Sequence, residues 1–112
     1  ETTNIFNRAF FDALPRGAYF INVGRGRSVV TDDLVAALRS GQLGGAGLDV
    51  TEPEPLPAGH PLWAMPNVLI TPHVAATSDA QRARSWTLVA ENLRRYTEGE
   101  PLLNVVDIKR GY

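Results

Sequence analysis

The spacing of apolar and polar residues changes several times along the chain, and each change predicts an element. "FNRAFFDALPRG" (6–17) reads as a short helix capped by Asn7, with Phe6 and Phe11 placed as a hydrophobic staple and Pro15 to Gly17 as its stop. The unbroken run "AYFINV" (18–23) predicts a buried strand, which the glycines at 24 and 26 end. "TDDLVAALRSG" returns to helical spacing, with Thr31 as the cap, Asp32 and Asp33 in the first turn and Gly41 at the end. "GAGLDV" (45–50) is the next strand, and a proline-rich loop, "TEPEPLPAGHP", leads through Leu62 and Trp63 to the strand "NVLIT". Ser78 and Gln81 have the spacing of a capping box, and Trp86, Val89, Ala90, Leu93 and Tyr96 recur at helical intervals up to Gly99. That stripe is expected to pack into a core.

Strands that are nearly continuous in apolar residues and alternate with helices imply parallel pairing in a sheet covered by helices. The expected fold class is therefore α/β, part of a doubly wound parallel sheet of the Rossmann type. A complete nucleotide-binding version opens with a strand and a G-x-G-x-x-G turn, but here Gly24 and Gly26 are followed by Val29 where the third glycine belongs. The half that grips pyrophosphate is missing from the pattern. At 112 residues the chain amounts to one domain at most. Eleven Lys and Arg against twelve Asp and Glu give a formal charge of −1, with no basic stripe to track phosphates, so nucleic acid is not an expected partner. The absence of cysteine excludes disulfides and thiolate metal sites, and the composition suits a cytoplasmic protein. No apolar run approaches the roughly 20 residues of a membrane helix. His60 and His73 have no third ligand at short spacing, so no metal is expected.

The chemistry-bearing residues fall where the strands end. Pro72 stops "VLIT" and delivers His73 just past a strand terminus. Arg25 follows the first strand, and Asp49, Glu52 and Glu54 follow the second. In a parallel sheet all carboxyl ends lie on one edge, and ligands bind outside that edge. An arginine, a carboxylate and a histidine gathered there suit reduction of a 2-keto acid. The guanidinium fork holds the substrate carboxylate, the imidazolium supplies a proton to the carbonyl oxygen, and a glutamate orients the ring. Either Glu52 or Glu54 of "TEPEP" can face the histidine, and Asp49 can be a turn former or a cofactor contact.

The stretch from "FINVGRGRSVV" through "GLDVTEPEPLP" to "VLITPHVAATS" resembles the second half of the nucleotide-binding domain of the D-isomer-specific 2-hydroxyacid dehydrogenases. The ending "NVVDIKRGY" is most similar to the glyoxylate/hydroxypyruvate reductase A branch. The resemblance implies that residues 1–77 form the second half of an NAD(P)-binding domain and 78–112 a long helix and tail that return towards a substrate domain. It further implies that Arg25 binds the substrate, that His73 is the acid and that Glu54 pairs with it. Asp49 would contact the nicotinamide amide, with Val23, Gly24, Arg25 and the turn carrying His73, Ala75 and Ala76 lining the ring. The implied reaction is reduction of a small 2-keto acid such as glyoxylate or hydroxypyruvate with NADP or NAD as cofactor, by a homodimer that needs no membrane. The sequence departs from the family at Thr51, where an aromatic residue is usual. Because the glycine loop is absent, the 112 residues alone are expected to be inactive, and the alternative is a non-catalytic fragment that packs without cofactor.

Overall fold

A computed structural model describes residues 2–110; Glu1 and the last two residues of the tail lie outside the described residues. The chain forms two compact units, Glu1–Ala75 and Ala76–Tyr112. In the first, α1 (Arg8–Asp12), β1 (Ala18–Asn22), α2 (Thr31–Arg39), β2 (Leu43–Leu48) and β3 (Val68–Ile70) build a parallel sheet in the order β1-β2-β3. Short 3-10 turns at Gly26–Ser28 and Pro61–Ala64 precede α2 and β3. The fold is the expected α/β arrangement.

Register decides which face is the core. Phe20 pairs with Ala46, Asn22 with Leu48, and Ala46 and Leu48 in turn with Val68 and Ile70. Because strand side chains alternate, these residues share one face. That face joins Phe11, Leu34, Leu38 and Leu43 in a single core. The opposite face carries Tyr19, Ile21 and Leu69, which are 77%, 72% and 67% exposed. Helices thus cover one side of this unit's sheet.

Local contacts alter several expected elements. The helix α1 is only five residues long, capped by the Asn7 side chain, which accepts from Phe10 N. The Gln42 side-chain nitrogen donates at 2.9 Å each to the carbonyls of Phe11 near the end of α1 and of Leu14 in the turn that follows. Phe6 does not staple to Phe11. It meets Phe10 and Phe20 edge-on, with centroids 4.8 and 5.4 Å apart, while the fully buried Phe11 packs on Phe20 at 5.3 Å. The cap of α2 falls on Val30, whose own N–H is bound to the Phe6 carbonyl. Thr31 is already helical, and its hydroxyl is drawn away to the carbonyl of Glu52 at 2.8 Å.

The second unit holds α3 (Asp79–Glu98), closed by Gly99 in the left-handed conformation at φ 72°. Ser78 sits at the cap position without a side-chain capping bond, so the expected capping box is not formed; only its carbonyl accepts from Gln81 N, at 3.0 Å. The stripe expected to be core is solvent-facing: Trp86, Val89, Leu93 and Tyr96 are all more than half exposed. Helical periodicity reports an apolar face, and within this unit taken by itself no second layer among the described residues buries it. Polar contacts organise this unit instead. Asn92 bridges the backbone of Leu103, and Arg94 and Arg95 gather Glu91, Glu98 and Glu100.

Two expectations follow from these contacts. Phe11→Ala removes the most enclosed aromatic residue and should cost about 3–5 kcal/mol in a denaturation experiment. In α3, the hydrogen bond from Arg94, reinforced by Arg95, brings the Glu91 carboxyl down from its ordinary 4.5 to about 2. A carboxyl lowered in the folded state stabilises above its unfolded value, and that stabilisation fades as acid protonates it. Helicity followed by circular dichroism should therefore hold to about pH 4.5 and decline towards pH 2, and Glu91→Gln should flatten that decline.

Candidate active site

The sheet does not end where its strands end. Asp49 N donates to the Asn22 carbonyl at 2.9 Å, Thr71 N donates to Leu48 at 2.9 Å, and His73 N donates to the Asp49 carbonyl at 3.0 Å. These bonds extend the parallel ladder beyond the strand ends. They align the loops after β1, β2 and β3 along the carboxyl edge.

Asp49 is buried, only 5% exposed, and nearly all its polar atoms are used. Oδ1 accepts from the Thr71 hydroxyl at 2.5 Å and from Val74 N at 2.9 Å, and Oδ2 accepts from Ala75 N at 2.8 Å. The Thr71 hydroxyl holds the Asp49 carboxyl below its usual range; burial opposes that, and the Ala75 and Val74 amides and the charge of His73 add to it. Asp49 is therefore an anion. Its partners all lie in the turn after β3.

His73 stands in that turn with φ 54°, a left-handed conformation that costs a non-glycine residue about 1–3 kcal/mol. Its Nδ1 lies 2.7 Å from Glu54 Oε1. Facing a carboxylate that only accepts, Nδ1 is the nitrogen that donates, and Nε2 is the ring nitrogen not engaged by Glu54. Both side chains are nearly half exposed, at 49% and 42%, so the pair orients the ring more than it stabilises the fold. Glu52 offers its backbone carbonyl to Thr31 instead.

Arg25 follows β1 in extended backbone, and its Nη1 donates to its neighbour's carbonyl, that of Gly24, at 2.8 Å. The turn that carries it is fixed from inside. Buried Asn22 accepts from Gly24 N at 3.1 Å and donates to the Arg25 carbonyl at 3.0 Å, and the Ser28 hydroxyl donates to the same carbonyl at 2.6 Å. Sequence reasoning passed over Asn22, although an asparagine at a strand end two residues before a glycine favours a turn. It also passed over Thr71. No pattern marks a hydroxyl whose partner is 22 residues away.

Two cavities, each of about 390 Å³, flank the strand β3. One is lined by Ile21, Val23, Gly47, Leu48, Asp49, Leu69, Thr71, Val74 and Ala75. The other contains Glu54 and His73 with Thr51, Leu56, Trp63, Ile70 and Pro72 around them. Thr71 lines both. Ala76 opens the second unit.

This arrangement has close counterparts. The family model described as "D-isomer specific 2-hydroxyacid dehydrogenase, NAD binding domain" matches residues 1–75. The chain belongs to this family. It is 48% identical over its full length to glyoxylate/hydroxypyruvate reductase A of Klebsiella pneumoniae, of which it spans 35%. Among solved structures it is similar to a D-isomer-specific 2-hydroxyacid dehydrogenase from Xanthobacter autotrophicus in complex with NADPH and MES (52% identity, TM-score 0.85, 99% of this chain and 45% of that one). It is equally similar in fold to the NADPH-dependent glyoxylate/hydroxypyruvate reductase of Sinorhizobium meliloti in complex with NADP and sulfate (48% identity, TM-score 0.85, 99% and 36%). The chain thus spans about a third of the length of the curated reductase it matches.

Within this dehydrogenase segment the 51–54 loop is held close to the Arg25 turn. A Cβ at Gly26 would stand 1.9 Å from the Thr51 carbonyl oxygen and 2.9 Å from Glu52 N, so only glycine lets the two backbones touch. Gly26→Ala should push the loop away, lower the melting temperature and weaken the coupling between Glu54 and His73. Comparison of the His73 ring resonances in the two proteins measures the second effect.

Proposed function

We propose that these residues form the catalytic edge of an NAD(P)H-dependent reductase that converts a small 2-keto acid, such as glyoxylate or hydroxypyruvate, into the 2-hydroxy acid. The observation that carries this reading is the His73–Glu54 pair, which leaves Nε2 as the proton-exchanging atom on the same sheet edge as Arg25. Arg25 holds the substrate carboxylate with its planar fork and thereby fixes the carbonyl carbon. His73 donates a proton from Nε2 to the carbonyl oxygen, and Glu54 keeps Nδ1–H engaged so that the ring stays oriented. The nicotinamide, when bound, supplies the hydride.

The first cavity suits that ring. Its wall is apolar, with Ile21, Val23, Leu69, Val74 and Ala75, and Gly47 leaves room for a flat group. Gly24 belongs to the adjoining turn. The expected contact of Asp49 with the nicotinamide amide would use the one lone pair its own turn leaves, since a carboxylate offers about four. The Sinorhizobium meliloti relative is NADPH-dependent, so NADPH is the first cofactor to test, with NADH second. The family reading also carries a homodimer and a cytoplasmic location; among the described residues no helix is long and apolar enough to cross a membrane.

Steady-state kinetics on the protein expressed from its complete reading frame test these roles. Arg25→Lys keeps the charge but loses the fork, and kcat/KM for glyoxylate should fall at least ~100-fold, roughly 2.7 kcal/mol. An unchanged value removes Arg25 from the substrate site. His73→Ala should lower turnover about 100- to 10,000-fold in both directions. Glu54→Gln should cost about 10-fold or more, whereas Glu52→Gln in the same loop should leave turnover within about twofold. The reverse ranking of the two glutamates would reassign the pair. Reduction uses the protonated ring and oxidation the neutral one, so the two rates should run in opposite senses with pH.

A further inference from the structure

Every backbone amide from His73 to Ala75 donates to Asp49. The His73 amide reaches its carbonyl, and the Val74 and Ala75 amides reach its carboxylate. The Thr71 hydroxyl binds the same carboxylate from the other end of the turn, at 2.5 Å. His73 itself is in the left-handed region, and its half-exposed ring has Glu54 as its hydrogen-bonding partner. Such a conformation persists only where the surroundings over-determine it. Here the surroundings are the Asp49 carboxylate and the Thr71 hydroxyl, together with the Asp49 and Thr71 carbonyls, which both accept from the His73 amide at 3.0 Å.

We infer that Asp49 and Thr71 are positioning residues for the proton donor: together they pin the 71–75 turn and so hold His73 in the left-handed conformation that sets Nδ1 on Glu54. The inference rests on the reductase reading above for its kinetic consequence, though not for its geometry. Asp49 then acts mainly through the histidine, with three of its roughly four lone pairs used by the turn. Thr71 acts through Asp49. Its hydroxyl adds a short bond to an anion, and its removal leaves the two amide bonds in place but lets the carboxylate rotate between them.

The conservative series at Thr71 gives the test, because this residue is exposed and tolerates change better than buried Asp49. Thr71→Val keeps shape and loses the donor, whereas Thr71→Ser keeps the donor. In the protein expressed from its complete reading frame, Thr71→Val should lower kcat for glyoxylate about 10-fold at saturating NADPH, as misplacement of a reacting group does. Because Thr71 also lines the proposed nicotinamide cavity, the NADPH Kd, titrated by nicotinamide fluorescence, should rise by less than kcat falls, and Thr71→Ser should restore turnover. Asp49→Asn, which turns one acceptor into a donor facing donors, should move kcat further in the same direction.

A Thr71→Val protein with normal kcat overturns the inference, and so does a raised NADPH Kd with kcat preserved at saturation, which would make Asp49 a cofactor ligand only. The His73 ring resonances, assigned by loss in His73→Ala, provide a readout independent of activity. They should shift in Thr71→Val and return in Thr71→Ser. A wild type that reduces no keto acid refutes the reductase reading alone, and the ring resonances then decide the clamp: unchanged signals in Thr71→Val sink it.

Discussion

The geometry of the whole edge depends on the continuation of a parallel ladder past its strands, and Asp49 is the link in it. Its N–H reaches back to Asn22 at the end of β1, and its carbonyl accepts from His73 after β3. Parallel strands bring their carboxyl ends to one side, but loops there would splay apart if nothing tied them. A residue that uses both backbone groups across the sheet and its side chain along the next turn ties three loops at once. Burial makes the tie firm, since an unsatisfied carboxylate in that position would be costly.

The remaining loop is held by contact rather than by ladder. Gly26 lets its backbone lie against the Thr51 carbonyl, and the Thr31 hydroxyl reaches Glu52 two residues before Glu54. Backbone atoms and small hydroxyls fix the frame here, while the groups suited to chemistry, Arg25, Glu54 and His73, remain exposed. That division matches what catalysis asks of a scaffold, namely preorganised side chains on stiff supports with access to a ligand.

Much of the frame was legible in the sequence, because it rests on local signals. Continuous apolar runs mark the strands, although only one face of the sheet is buried, Pro72 follows the last of them, and paired aspartates mark a helix start. What escaped depends on partners distant in sequence. Thr31 looks like a cap until the Glu52 carbonyl competes for its hydroxyl, and Phe6 looks like a staple to Phe11 until Phe20 places the rings otherwise. The periodicity of Trp86, Val89, Leu93 and Tyr96 describes a face without saying whether anything covers it. The glutamates of "TEPEP" illustrate the same limit: two residues apart on an irregular loop, they have no period to sort them, so the choice of Glu54 comes from the family resemblance, and the fold sets Glu54 against His73.

The strand β3 is a partition one residue thick between the two cavities. Leu69 lines one and Ile70 the other, and Thr71 belongs to both. Odd and even positions therefore encode different chambers, and a shift of one residue in this three-residue strand would exchange their walls. Length changes can be absorbed in the proline-rich loop upstream, but not within 68–70. For anyone reshaping selectivity, the two chambers share a party wall: one can be redecorated through its own side chains, yet neither can be moved without moving the other.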